Sequence, residues 1–335
     1  MFPDNDWYGH KKILFQYCGI KKVSQIYGTL QHGVRFSKNN LSPSESLPDA
    51  PYFCWSKEIE KKFKSNIFKV NSIGAPFLYL CKIKKINKKT PKGVVLFPAH
   101  SNPEGLQDVD HSKIINIIKK KYKAPYKVVF FFTDYKKKNI DIYKKNNFKV
   151  FCCGNRGNPM FLDNLYKILN SVKYFVCTEP STALIYSMYL KKNCKIIDKD
   201  EYSMPLNSRS NMNLEKLKKT TLYKKLCRGT MSINDQFRYA QKKLGEESIK
   251  SPEELKKIIN IDNLILRIKA FLVSHIYNFR FGTETRTLGF AQTVNSHYQH
   301  VWLLDKKTKS FRPSTILKKN FKLNVKELIK SQKKF

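Results

Sequence analysis

Gly93-Val-Val-Leu-Phe97, Tyr126-Lys-Val-Val-Phe-Phe-Phe132, Lys149-Val-Phe-Cys-Cys153, Tyr174-Phe-Val-Cys177 and Cys194-Lys-Ile-Ile197 are the runs that decide the fold. Each is short, apolar and rich in β-branched or aromatic residues, as strands buried on both faces require. Helical spacing fills the gaps between them. Ser112 to Tyr122 carries Ile114, Ile115, Ile117 and Ile118, and Asn139 to Asn147, Phe161 to Val172 and Ser181 to Leu190 read the same way. Strand and helix therefore alternate over about a hundred residues, which predicts a doubly wound parallel sheet with right-handed crossovers.

Working outward, the first 90 residues read as a smaller α/β unit with strands at Ile26 to Gln31, Tyr52 to Trp55 and Lys69 to Ile73. The lysine-rich stretch Lys82 to Lys92 is the expected linker between two lobes. Beyond Asp200 the pattern turns helical, at Gln236 to Leu244 and at Pro252 to Ile259, where Ser251-Pro252-Glu253-Glu254 is a strong helix start. The expected organisation is a small N-terminal lobe (1–88), a doubly wound lobe (89–200), a helical segment packing back on both (201–262) and a tail (263–335). Asn263 to Phe281 reads either as a helix packed on the body or as a basic amphipathic helix lying on a membrane.

Over 335 residues, 64 Lys+Arg against 26 Asp+Glu leave a formal net charge of +38, while 41% of residues are hydrophobic. That apolar share excludes a disordered polycation. Only nine of the positive residues are arginine, the planar fork that readers of bases and phosphates favour. The lysines come in short runs such as Lys119 to Lys121 and Lys136 to Lys138. A solvated lysine surface and attraction to an anionic membrane face are both open readings, and the arginine scarcity argues against a dedicated nucleic-acid groove. The eight cysteines form no CxxC pair and sit mostly in apolar runs, so neither a metal site nor a disulfide framework is expected. Residues Met1 to Asp6 lack a signal-peptide pattern and no run of 18 apolar residues exists, so a cytoplasmic location is expected.

In open α/β sheets, ligands bind beyond the carboxyl ends of the strands, so the chemistry is sought there. Those ends read Gln31-His32-Gly33, Pro98-Ala99-His100-Ser101, Thr133-Asp134, Gly154-Asn155-Arg156-Gly157 and Thr178-Glu179-Pro180-Ser181-Thr182. Ser181 and Thr182 open a helix, whose free N–H groups and dipole favour a phosphate; the plain alternative is that Ser181 merely caps it. Glu179 is either a ribose or base partner or a solvated carboxylate. His32, beside a glycine, can accept a proton near neutral pH, or can be structural. The cluster Asp4-Asn5-Asp6-Trp7-Tyr8-Gly9-His10 is dense for a terminus; Asp6 is the second candidate base. No GxGxxG or GxxxxGK[ST] is present, which excludes those phosphate-binding signatures.

The strings DNDWYGHKKILFQYC (4–18), LQHG (30–33), YFCWSKEIEKKF (52–63) and SIGAPFLYL (72–80) resemble bacterial capsule and lipopolysaccharide biosynthesis proteins of the GT-B glycosyltransferase type. The resemblance continues through VVLFPAHS (94–101), VVFFFTDYKKKNIDIYKKNNFKVFCCG (128–154), PMFLDNLYKILNSVKYFVCTEPSTALIYSMYLKK (159–192) and LGEESIKSPEELKKII (244–259). More distantly the chain is similar to CDP-glycerol glycerophosphotransferases and bacterial polysialyltransferases. The resemblance implies a two-lobed GT-B-like fold and sugar transfer from a nucleotide-activated donor to a glycan or lipid-linked glycan of the cell surface. It implies His32 as base and His100, Ser181 and Thr182 at the donor phosphate. Ser101, Asp134, Gly154 and Glu179 join the expected donor side, and His10, Gln31 and Gly33 the acceptor side. With no DxD-type motif after a strand, no metal or other cofactor is expected. The chain departs from the pattern in its short N-terminal lobe and in a Ser-Thr rather than Ser-Ser pair. A nucleotide-sugar epimerase, a polyol-phosphate transferase and a basic nucleic-acid-binding protein are the alternatives.

Overall fold

The computed structural model describes residues 3–21, 26, 28–34, 36, 51–63, 70–84, 90–99, 110–198, 201–202, 220–259, 302–305 and 310–313. The chain divides into two compact units, Phe2–Leu266 and, with Met1, Arg267–Phe335. In the larger unit, a 3₁₀ segment (Pro3–Gly9) leads into α1 (His10–Tyr17), followed by β1 (Thr29–Leu30), β2 (Tyr52–Cys54), α2 (Lys57–Phe63), β3 (Val70–Ser72) and α3 (Pro76–Ile83). β1, β2 and β3 form a parallel sheet in that order. The three short strands fall inside the three stretches expected.

The second sheet comes from β4 (Val94–Phe97), α4 (His111–Lys121), β5 (Tyr126–Phe130), α5 (Lys137–Lys145), β6 (Phe148–Cys152), α6 (Phe161–Asn170), β7 (Tyr174–Cys177), α7 (Thr182–Tyr189) and β8 (Asn193–Ile196). Its order is β6-β5-β4-β7-β8 and every pairing is parallel. The chain winds outward one way from β4 and then the other way from β7, so the switch point lies between those strands. β5 stops two residues short of the expected Phe132, because its ladder with β6 ends at Phe130 opposite Cys152, leaving Phe132 39% exposed.

Alternation of side chains sends each strand's apolar residues to both faces. On one face Val94, Leu96, Val128 and Val176 pack with Ile114, Ile115 and Ile118 of α4 and Tyr143 of α5. On the other, Val95, Val129, Phe175 and Cys194 meet Leu162, Leu165 and Leu169 of α6 and Leu184, Ile185 and Met188 of α7. That second layer continues into the first lobe, whose Ile13, Leu14, Trp55, Phe77 and Leu80 belong to the same core. Phe77 of α3 stacks on Tyr186 of α7 with centroids 4.0 Å apart and planes 12° from parallel. The two sheets therefore share one apolar interior.

Lys82 and Ile83 belong to α3 rather than to a linker. Just beyond them, the Lys84 ammonium reaches Asp163 of α6 at 3.0 Å, and Lys12 of α1 reaches the same carboxylate at 2.8 Å. Burial pushes the Asp163 carboxyl up, but the hydrogen bonds and charges of the two lysines outweigh it and hold it below the usual carboxylate range. Three helices are tied together there.

Past β8, α8 (Thr221–Arg228), α9 (Ile233–Leu244) and α10 (Pro252–Ile259) complete the unit. Ala75 N–H donates to Leu244 at 2.8 Å and Lys250 N–H to the Tyr79 hydroxyl at 3.0 Å, so these helices fasten onto the first lobe. Of the tail, β9 (Trp302–Asp305) and β10 (Ser310–Pro313) form an antiparallel pair; Asn263 to Phe281 lies outside the described residues. Among the described residues, no helix is long and apolar enough to cross a membrane.

Candidate active site

A cavity of about 360 Å³ opens at the switch point, the place and size expected of a small-molecule site. Its floor is apolar, with Phe97, Val129, Phe130 and Leu165 among its residues, and its polar groups come from two sides. Glu179, Ser181 and Thr182 enter from the β7–α7 turn. His32 and Gly33 enter from the loop after β1, and Trp7, Tyr8 and His10 from the N-terminal segment.

Each polar group has an identifiable support. Asn5 acts as a strand partner: its Nδ2 donates to the Gly28 carbonyl and its Oδ1 accepts from Leu30 N–H, both at 2.8 Å. That fastens the N-terminal segment to β1 and explains the density of the cluster. Gln31 is committed to the scaffold rather than to a ligand. Its Oε1 accepts from Trp55 N–H at 2.9 Å, its carbonyl from the Trp55 indole at 3.1 Å, and its Nε2 donates to Gly33 at 2.7 Å. These bonds hold the loop that presents His32. Gly33 lies close to the opposite loop: a Cβ there would lie 2.9 Å from the Thr182 hydroxyl oxygen. That oxygen accepts from Val34 N–H at 3.1 Å, joining the two loops across the cleft.

Ser181 stands at the N-cap of α7 in extended conformation, yet its side chain makes no cap bond. Its Oγ is buried without a hydrogen-bond partner. By contrast Asp110, Thr220 and Ser232 cap α4, α8 and α9 with their side chains. The helix end facing the cavity is thus left with its donors and one hydroxyl uncommitted by a cap.

His10 is 1% exposed and its Nδ1 has no partner. Burial, reinforced by the neighbouring His32, pulls its pKa down to about 3, so at neutral pH it is an uncharged hydrogen-bonding group. His32 lies beside Trp7, ring centroids 4.8 Å apart.

Other expected residues stand elsewhere. Asp6 is not a cavity residue; its 41% exposed carboxylate pairs with Lys11 at 2.6 Å. Asp134 is buried in the turn after β5, where Thr133 Oγ1 approaches its carboxylate at 3.4 Å. Gly154, at φ 97°, makes room for Asn158, whose amide would sit 2.2 Å from a Cβ. His100 and Ser101 lie outside the described residues. Ala99, the last described residue before them, donates its N–H to the fully buried Thr178 at 2.6 Å. Trp7, Tyr8, Phe161 and Tyr186 are cavity residues that strand-end reading does not find; only the N-terminal aromatic cluster offered a signal. Among the described residues, no group of three or more His, Cys, Asp or Glu could hold a metal ion.

No family model and no curated protein matches the chain. Among solved structures it is similar to Phytolacca americana UGT2 complexed with UDP-2-fluoro-glucose and pterostilbene, at 12% identity and a TM-score of 0.25, over 63% of this chain and 48% of that one. It is similar to a UDP-glucose: anthocyanidin 3-O-glucosyltransferase in complex with UDP, at 10% identity and a TM-score of 0.32, over 77% of this chain and 68% of that one. Apo UGT2 of the same plant gives 12% identity and a TM-score of 0.27, over 67% and 55%. The chain spans about half the length of the first of these.

Proposed function

We propose that the chain is a GT-B-like glycosyltransferase that moves a sugar from a nucleotide-activated donor to a hydroxyl of a surface glycan. The observation that carries this is the uncapped α7 terminus, with Ser181 Oγ buried and unbonded, facing His32 and His10 across the cleft. The donor's phosphate sits at the α7 N–H groups and the Ser181 hydroxyl, with Glu179 beside it. His32 takes the proton from the acceptor hydroxyl; the acceptor oxygen bonds to the anomeric carbon, and that carbon's bond to phosphate breaks. The electron pair leaves with the nucleotide, whose growing negative charge the helix terminus stabilises. Neutral His10 orients the acceptor. No metal is assigned a part. His100 and Ser101 are kept as further donor-side residues, and the acceptor as a capsule or lipopolysaccharide glycan reached at an anionic membrane face.

The test is His32→Ala in the full chain, with nucleotide release measured from CMP-, CDP-, UDP- and GDP-sugars and 4-nitrophenyl glycosides as acceptors. Transfer falls about 10²- to 10⁴-fold, the range for one general base, while nucleotide binding by thermal shift persists. Unchanged transfer overturns the role of His32.

A further inference from the structure

Arg156 lies in the loop between β6 and α6, is exposed, and is not itself a cavity-lining residue; it adjoins the cavity through Trp7. Its guanidinium stands over the ring of the cavity residue Trp7, 4.5 Å from the centroid. The same Trp7 ring is the one beside His32. Backbone contacts fix this arrangement from both loops. Tyr8 N–H donates to the Arg156 carbonyl at 2.5 Å, and Tyr8 itself holds a left-handed φ of 58°. Gly9 lies so near Pro159 that a Cβ would come 2.4 Å from its carbonyl oxygen. A non-glycine residue in the left-handed region and a glycine against backbone mark a conformation enforced by the surrounding structure.

A guanidinium stacked on an aromatic face keeps its N–H donors in the plane, at its edges. Asp6, next to Trp7 in the chain, is paired with Lys11, and Asp163 of α6 with Lys12 and Lys84. Among the described residues, no ion pair includes Arg156. Lysine supplies the positive charge almost everywhere else in this chain, but lysine cannot present a flat two-pronged donor.

We propose that Arg156, seated on Trp7, binds an anionic group, carboxylate or phosphate, on the sugar that enters beside His32, so that acidic sugars are selected over neutral ones. This rests on the reading of the cleft as a sugar-transfer site. Arg156 is then a specificity residue with no share in proton transfer.

The experiment titrates the full chain by calorimetry with two matched pairs. One is 4-nitrophenyl β-glucuronide against 4-nitrophenyl β-glucoside, the other glucose 6-phosphate against glucose. Wild type binds the acidic member of at least one pair about tenfold more tightly, the scale of one charge-assisted pair, and the pair that discriminates identifies the anion. Arg156→Ala abolishes the preference and leaves the neutral sugar's affinity unchanged. Arg156→Lys restores only part of it. No preference in either pair, a preference that survives Arg156→Ala, or an equal loss for acidic and neutral sugars overturns the proposal. Nucleotide binding to both proteins is measured separately by thermal shift. Failure of every nucleotide to bind counts against sugar transfer, while the sugar pairs still decide the role of Arg156.

Discussion

Replacing Ser181 by alanine separates a ligand-binding hydroxyl from a structural one. An N-cap serine ordinarily costs about 1 kcal/mol to remove, because its side chain bonds the first turn. Here no such bond exists and Oγ has no partner, so Ser181→Ala leaves unfolding free energy within about 0.5 kcal/mol of wild type. The same change removes one donor to a charged phosphate, worth about 1.5–3 kcal/mol, or roughly 10- to 150-fold in Kd. Thr182→Ala provides the contrast. Its Oγ1 accepts from Val34 N–H at 3.1 Å, and stranding that partly buried donor costs about 1–3 kcal/mol. Each kcal/mol lowers Tm by roughly 2–4 °C in a unit of this size. Thermal melts of the two variants, and calorimetric titration with whichever of CMP, CDP, UDP or GDP stabilises wild type most, supply both numbers. The reasoning is refuted if Ser181→Ala lowers Tm as far as Thr182→Ala does, or if it binds the nucleotide as wild type does.

Two further outcomes follow from the same wall. His10 has its folded pKa depressed to about 3, so below about pH 6.5 the unfolded chain binds a proton that the folded chain refuses. Stability contributed this way is present above that pH and falls by up to about 1.4 kcal/mol per pH unit on the way down to pH 3; urea titrations between pH 7 and pH 4 should show a shallower loss for His10→Phe, and identical slopes would sink the assignment. Gly9 and Gly19 both hold positive φ, 76° and 67°, but a Cβ at Gly9 strikes the Pro159 carbonyl while one at Gly19 meets nothing within 4 Å. Gly19→Ala should therefore cost only the left-handed strain of about 1–2 kcal/mol, with Gly9→Ala clearly costlier in the same melts; equal losses would mean that the two loops are not pressed together.

Local reading found the second sheet because its signals are local. Apolar runs of strand length alternate with helical periodicity, and parallel strands buried on both faces read as near-continuous apolar runs, here broken only by single residues such as Lys127, Lys149 and Lys195. Tyr174–Cys177 and Pro252–Ile259 coincide with the stretches expected, and the ends of the other elements read differ by at most three residues. α3 was not legible as a helix: Pro76–Leu80 are all apolar and buried, which hides the 3.6-residue period. The polar strand ends likewise drew attention to Ser181 and Thr182, but sequence could not say that the serine hydroxyl is unbonded while its neighbour is engaged by Val34.

What the sequence determined by itself, then, was the α/β class, the winding of the second sheet and a short roster of polar strand ends, all properties of residues close together in the chain. Tertiary structure decided which of those residues share a cavity. Asn5, 25 residues from Leu30, positions the N-terminal segment. Trp7 and Arg156 meet although 149 positions separate them. Gln31 turns inward to Trp55. Such choices depend on where the two lobes seal against each other through Phe77 of α3 and Tyr186 of α7, and a packed interface of that kind leaves no periodicity in either segment to be read.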